Sequence, residues 1–236
     1  MKPLSVKDWL TKAAPMKALG SSAPQVLFVT GLLPEESVVD LLAEVLLECF
    51  MKEGRAEIAR YALPNLRITP CVGCAGGGRA CRIPCDRNDI ESEIFAGDDE
   101  MGMLHEQMKL SDIFILASDV RANSVNSHVQ RFLERLEPFA TSVREGVNLL
   151  EGKVAIPLIA GSGAQEVASR LMATLMDRGY SFGTPACAAL PLLPGTSLGK
   201  ARDIFNRGYS LDEVVLEAIA KSALKTSKLL KGTPHE

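Results

Sequence analysis

Gln25-Val-Leu-Phe-Val-Thr30, closed by Gly31, is an unbroken apolar run of strand length. A strand with no polar alternation must be covered on both faces, which is the habit of parallel sheets sandwiched between helices. Behind it, Pro34 and Glu35-Glu36 open a helical stretch, with proline and acids in the first turn where they are favoured. Val38, Leu41, Leu42, Val45, Leu46 and Cys49 recur on one face, and Gly54 ends the pattern. One strand and one amphipathic helix thus make the first half of a βαβ unit.

The same alternation runs through the rest of the chain. A second strand is expected at about 56–62. A helix from Asp99 to Lys109 leads into the apolar Asp112-Ile-Phe-Ile-Leu-Ala117. Asn123 or Ser124 is expected to cap the next helix, whose apolar face carries Val125, Val129, Phe132 and Leu136. A fourth strand spans 153–160 and ends in Gly161-Ser-Gly163; its helix carries Val167, Leu171 and Leu175. A fifth strand is expected at 181–189, then a Pro/Gly-rich excursion over 191–208. The last helix starts at the capping box Ser210-Leu-Asp-Glu213. Strands and helices alternating five times predict a three-layer, doubly wound α/β fold with a five-stranded parallel sheet. Residues 1–24 read as an N-terminal extension and 25–236 as a single domain, with a cysteine-rich loop at 70–90.

Ligands of such sheets sit beyond the carboxyl ends of the strands. Three loops converge there by topology: Gly31 to Ser37, Ser118 to Asn123, and Gly161 to Ala164. The cysteine loop, after the second strand, lies at the same end. It holds Cys71, Cys74, Cys81 and Cys85, four of the chain's six cysteines, amid glycine, proline and arginine. Such a stretch buries little and suits chemistry better than packing: four thiolates suffice for a [4Fe–4S] cluster or tetrahedral zinc, and two for a redox dithiol. Cys49 and Cys187 fall on core-type positions, and His128 reads as a surface histidine.

Composition narrows the remaining classes. A net charge of -3 with no basic stripe gives no electrostatic case for nucleic acid. No apolar run reaches a membrane span, and no signal-peptide pattern opens the chain. With clustered cysteines, this points to a cytoplasmic protein.

Three stretches resemble one family, the flavodoxin-like NADPH-dependent FMN reductases with their iron–sulfur members, over roughly residues 25–190. Leu66-Arg-Ile-Thr-Pro-Cys-Val-Gly-Cys74 is similar to the family's Pro-Cys-x-Gly-Cys stretch. Cys85, four residues before Asp89, looks like its last cysteine with an acidic partner. Ser118 to Phe132 matches the layout of its second loop and following helix. The resemblance implies a flavodoxin-like sheet of order 2-1-3-4-5, FMN as cofactor and NAD(P)H as co-substrate. The implied FMN contacts are Gly31, Leu32, Ser37, Ser118, Asp119, Val120, Arg121, Asn123, Gly161, Ser162 and Gly163. It also implies a small-molecule or protein electron donor and acceptor, and a homodimer or homotetramer. The chain departs from the family at several points. The first loop reads Gly31-Leu-Leu-Pro-Glu-Glu-Ser37, so a leucine replaces a hydroxyl, a proline replaces an arginine, and two acids stand where a phosphate dianion approaches. Asp119 replaces proline, and Arg121 replaces an aromatic residue but can supply positive charge. The cysteine spacing is C-x2-C-x6-C-x3-C, looser than that of the iron–sulfur members. The alternative to an FMN-dependent oxidoreductase is a metal- or partner-binding protein on the same scaffold that has lost flavin.

Overall fold

The computed structural model describes residues 23–33, 38–54, 56–73, 81–83, 85, 99–183, 187–190 and 210–232. Strand β1 (Gln25–Thr30) pairs in parallel with β2 (Glu57–Ala62) on one side and β3 (Ile113–Arg121) on the other. β5 (Val154–Ala160) and β6 (Ala188–Leu190) extend the sheet in parallel beyond β3, giving the order β2-β1-β3-β5-β6. With the two-residue β4 (Ser124–Val125) set aside as a return from β3, this is the expected 2-1-3-4-5 arrangement. The fold is flavodoxin-like.

The continuous apolar runs become strands because both their faces are covered. Val26 and Phe28 point into one core layer, Leu27 and Val29 into the other, as the two-residue pleat requires. Helices α1 (Val38–Gly54) and α6 (Ser210–Gly232) pack on each other over the first face. The opposite face is closed by α2 (Met101–Leu110), α3 (Ser127–Glu134), α4 (Glu137–Arg144) and α5 (Ala164–Asp177), through Leu104, Phe132, Phe139 and Leu171 among others. Cys49 lies buried in the α1 layer, and Cys187 is half-buried beside β6. Among the described residues no helix is long and apolar enough to cross a membrane.

Two expectations are corrected. Neither Asn123 nor Ser124 caps α3. Ala122 (φ 47°) and Asn123 (φ 59°) form a tight turn that folds Ser124–Val125 back onto β3. Positive φ at both central positions is the mark of a type I′ hairpin, whose twist matches that of its strands. Val125, expected on the helix, is therefore a strand residue, and the cap is Asn126, whose Oδ1 accepts from the Val129 N–H at 3.1 Å. The helix also breaks at Arg135–Leu136 and restarts with Pro138 in its first turn, where the missing N–H costs nothing. Of the fifth strand, expected over 181–189, Ser181 makes an isolated bridge to Val154 and Ala188–Leu190 form β6, with Phe182, Gly183 and Cys187 outside any strand. The helix start over Pro34–Ser37, the excursion at 191–208 and nearly all of the N-terminal extension lie outside the described residues.

Candidate functional site

The carboxyl ends of β1, β3 and β5 lie at the same end of the sheet, with Thr30 paired to Ala117 and Asp119 to Ala160. Their loops meet at one rim. Gly31 donates to Ala117 O at 3.0 Å, and a Cβ there would stand 2.5 Å from Asn126 Oδ1 and from Val129 Cγ2. Only glycine lets the first loop lie so close to the start of α3. Leu32 donates its N–H to Thr30 Oγ1 at 3.2 Å and turns its side chain into the core. Of the first-loop candidates, Gly31 and Leu32 thus have amides committed to the fold, and Ser37 lies outside the described residues.

The second loop is held by a short chain of polar contacts. The fully buried Ser118 Oγ donates to Asp119 O at 2.9 Å and accepts from the Asn126 N–H at 3.1 Å. Asp119 accepts from Asn126 Nδ2 at 3.0 Å and from Arg121 Nε at 2.5 Å. Gly161 lies against Val120: its φ is +131°, and a Cβ there would stand 3.0 Å from Val120 Cβ, which again favours glycine. The Arg170 guanidinium of α5 donates to Asn123 O, and Gly163 lies beside the Asn123 side chain. The structure therefore brings Arg121–Asn123 and Gly161–Gly163 together as one exposed platform, with Ser162 and Gly163 opening α5. Arg121 stands 74% exposed at its edge. The residues from Pro34 to Ser37, where the family's phosphate end would fall, lie outside the described residues.

Three of the four cysteines of the expected metal site fall among the described residues. Cys71 is exposed, with Sγ accepting from the Gly73 N–H at 3.4 Å, while Cys81 and Cys85 are half-buried; all three are outside any disulfide. Cys74, like Asp89, lies outside the described residues. Among the described residues no three of His, Cys, Asp and Glu come together as a metal would need.

Cys85 has instead been drawn into a buried polar cluster that the sequence reading missed. Arg135, in the turn between α3 and α4, has a completely enclosed side chain. Its Nη1 donates to Thr69 O at 2.8 Å, Thr69 Oγ1 at 3.0 Å and Asp99 Oδ2 at 2.8 Å. Its Nε donates to Cys85 Sγ at 3.1 Å, and its Nη2 to Cys85 O. Burial works against the Arg135 charge, but the hydrogen bond it donates to Asp99 and the attractions of Cys85 and Asp99 together outweigh it, and the guanidinium pKa rises. Burial likewise opposes ionisation of Asp99, yet hydrogen bonds from Arg135 and Thr69 hold its carboxyl below the usual range. His105 completes the cluster: its Nδ1 accepts from the Cys85 N–H at 3.3 Å and its Nε2 faces Arg135 O at 3.1 Å. These partners assign the neutral tautomer with the proton on Nε2. Burial, opposed by the bond to Arg135 O and reinforced by the nearby Arg135 charge, pushes the His105 pKa down to about 4. One signal could have exposed Arg135. It lies three residues beyond Phe132, inside the apolar stripe that runs to Leu136, where a charge must find buried partners.

Comparison with known proteins sets this geometry in context. No curated protein matches the chain. Among solved structures, RosB with its bound intermediate 8-demethyl-8-formylriboflavin-5'-phosphate superposes with a TM-score of 0.69 at 20% identity, over 90% of this chain and 82% of that one. An apo NADH:FMN oxidoreductase gives 0.56 at 15% identity, over 89% and 92%. The NAD(P)H:acceptor oxidoreductase FerB from Paracoccus denitrificans gives 0.53 at 16%, over 86% and 98%. At these identities the likeness is one of fold. The family model described as NADPH-dependent FMN reductase matches residues 24–185, which take in β1, β3, β5 and every loop of the platform described above, and on that match the chain belongs to the NADPH-dependent FMN reductase family.

Proposed function

We propose that the protein is an FMN-dependent oxidoreductase that takes electrons from NAD(P)H or a protein donor and passes them to an acceptor. The observation that carries this reading is the paired platform of Arg121–Asn123 and Gly161–Gly163 at the rim of a sheet belonging to this family. Bound FMN would supply the redox chemistry itself. The protein's part is positioning. Ser118, Asp119 and Asn126 fix the turn, Gly161 keeps the two loops in contact, and Arg121 offers a charged donor at the edge. No side chain is assigned as a general acid or base. Titrating the purified protein with FMN and following quenching of flavin fluorescence tests the reading, with NADH and NADPH oxidation as the second readout. Saturable binding and FMN-dependent oxidation are expected; no flavin affinity sinks it.

One observation favours a second reading, a metal- or partner-binding protein without flavin. The Gly31 and Leu32 amides are committed internally, and Asp119 sits beside the one outward guanidinium. Absence of FMN binding would promote it. Within either reading, Cys71, Cys74, Cys81 and Cys85 are proposed as a [4Fe–4S] site, with zinc the lesser alternative, on the support of four closely spaced thiols outside any described disulfide. Iron, sulfide and zinc analysis of anaerobically purified protein decides between them. A homodimer or homotetramer is proposed from the family likeness alone, and sedimentation velocity tests it.

A further inference from the structure

Beside the platform a groove opens between α3 and α5, and Ser124, next to Asn123 in the hairpin turn, lines it. Its floor is Val125, Leu133, Val167 and Leu171, all buried, and its open volume is about 110 Å³. One enclosed water needs about 10–15 Å³ of such space, so the groove admits one flat ring system and not a whole dinucleotide. Over the floor stand two exposed side chains, Gln130 from α3 and Arg170 from α5. Among the described residues the Gln130 amide makes no hydrogen bond, so it has both a donor and an acceptor to offer. Arg170 borders groove and platform alike. Its Nη2 donates to Asn123 O, while its Nε and Nη1 have no such partner among the described residues. Glu166 stands 3.9 Å from the same Nη2, but with side chains 57% and 76% exposed that pair is a loose one.

On the oxidoreductase reading, from which this follows, we infer that the groove seats the adenine of NAD(P)H while the nicotinamide lies over the platform. An adenine is flat with two apolar faces, so it can lie on the aliphatic floor. No other part of the co-substrate suits that place. The nicotinamide must stay free to meet the flavin, and riboses and phosphates would lose their water over four buried aliphatic side chains. The edge of adenine sets an amino donor beside a ring-nitrogen acceptor, and a glutamine amide such as that of Gln130 answers both at once. Arg170 then stands where the co-substrate passes from groove to platform, with two nitrogens open to the diphosphate between the riboses. A free adenine nucleotide acting as a regulator would carry the same chemistry as the co-substrate's adenosine half. Only the link to the nicotinamide end tells the two apart.

The experiment compares NADH with reduced nicotinamide mononucleotide, which lacks the adenosine half, as donors to the FMN-loaded full-length protein. In parallel, 5'-AMP alone is titrated while the methyl NMR signals of the groove are followed. Expected is a KM for NADH about tenfold below that for the mononucleotide, the weight of one bidentate contact. Gln130→Ala should raise the KM for NADH about tenfold at unchanged kcat and should not move the KM for the mononucleotide. AMP should shift the methyls of Val125, Leu133, Val167 and Leu171 saturably, compete with NADH and spare oxidation of the mononucleotide. Equal KM values for the two donors, or a Gln130→Ala protein indistinguishable from its parent, overturn the inference and leave the oxidoreductase reading standing. So does AMP that leaves those methyls unmoved, or that slows both donors equally as a regulator would. Oxidation of neither donor sinks the oxidoreductase reading, and the inference with it.

Discussion

Two arginine–aspartate pairs of nearly equal length stand in opposite surroundings. Arg121 and Asp119 meet at 2.5 Å with side chains 74% and 15% exposed; Arg135 and Asp99 meet at 2.8 Å with side chains 0% and 4% exposed. At the rim, water screens the pair, and such contacts contribute about 0–1 kcal/mol. Asp119 engages the Nε of Arg121, whose side chain otherwise lies largely in solvent. In the interior each guanidinium nitrogen of Arg135 has a protein acceptor. The same two residue types thus lie open to solvent in one place and tie distant parts of the chain together in the other. What separates the two is burial, not the residue types.

Removing each arginine tests that contrast most directly. Arg135→Ala leaves Asp99 buried without its partner and should cost about 3–5 kcal/mol in urea unfolding. Arg121→Ala should stay within about 0.5 kcal/mol. Similar losses for the two would erase the distinction.

A second break comes from acid. His105 is neutral in the fold, with its pKa at about 4 against the ordinary 6.5. The unfolded chain therefore takes up the proton first as pH falls. Stability is complete above about pH 6.5 and drains away toward pH 4, by about 3 kcal/mol across that window. His105→Gln should flatten this slope when urea midpoints are measured at pH 7 and 4.5. Asp99 adds a separate loss at lower pH, because its depressed carboxyl stabilises the fold above the ordinary value near 4 and ceases to as pH falls through the folded one.

The exposed arginine should show its effect in ligand binding instead. On the proposed flavin function, Arg121→Ala should weaken FMN binding by about 1.5–3 kcal/mol, the weight of a charged hydrogen bond. Isothermal titration against the parent protein reads this, and an unchanged affinity would remove Arg121 from the site. The smallest effect sharpens the rim itself. Ala122 holds a φ of 47° that disfavours any side chain, so Ala122→Gly should raise stability by about 0.5–1 kcal/mol in thermal unfolding. A lower melting temperature would argue against the I′ turn.

The contrast also explains what could be read in advance. β1, β3 and β5 are legible because a strand buried on both faces needs apolar residues at consecutive positions, a pattern local to a few residues. Sheet order followed from the alternation and the resemblance. The β4 hairpin was hidden because its turn is Ala-Asn, without the glycine that usually announces positive φ, so Asn123 looked like a helix cap. The Arg135 cluster was hidden for another reason: its partners lie 36, 50 and 66 positions away, and no local pattern encodes which distant carboxylate will meet a guanidinium. The cysteine spacing likewise gave no hint that Cys85 would meet an arginine fifty positions away.

The tie between Thr69 and Asp99 has a consequence for how this chain can change. The two residues lie thirty positions apart and hold each other through their own contacts. For a flexible loop the entropic cost of bringing its ends together grows only with the logarithm of its length, so doubling such an insert costs about 0.6 kcal/mol. The tie thus lets the chain between its ends gain length cheaply, with Cys85, which takes two bonds from Arg135, as a position where content is constrained.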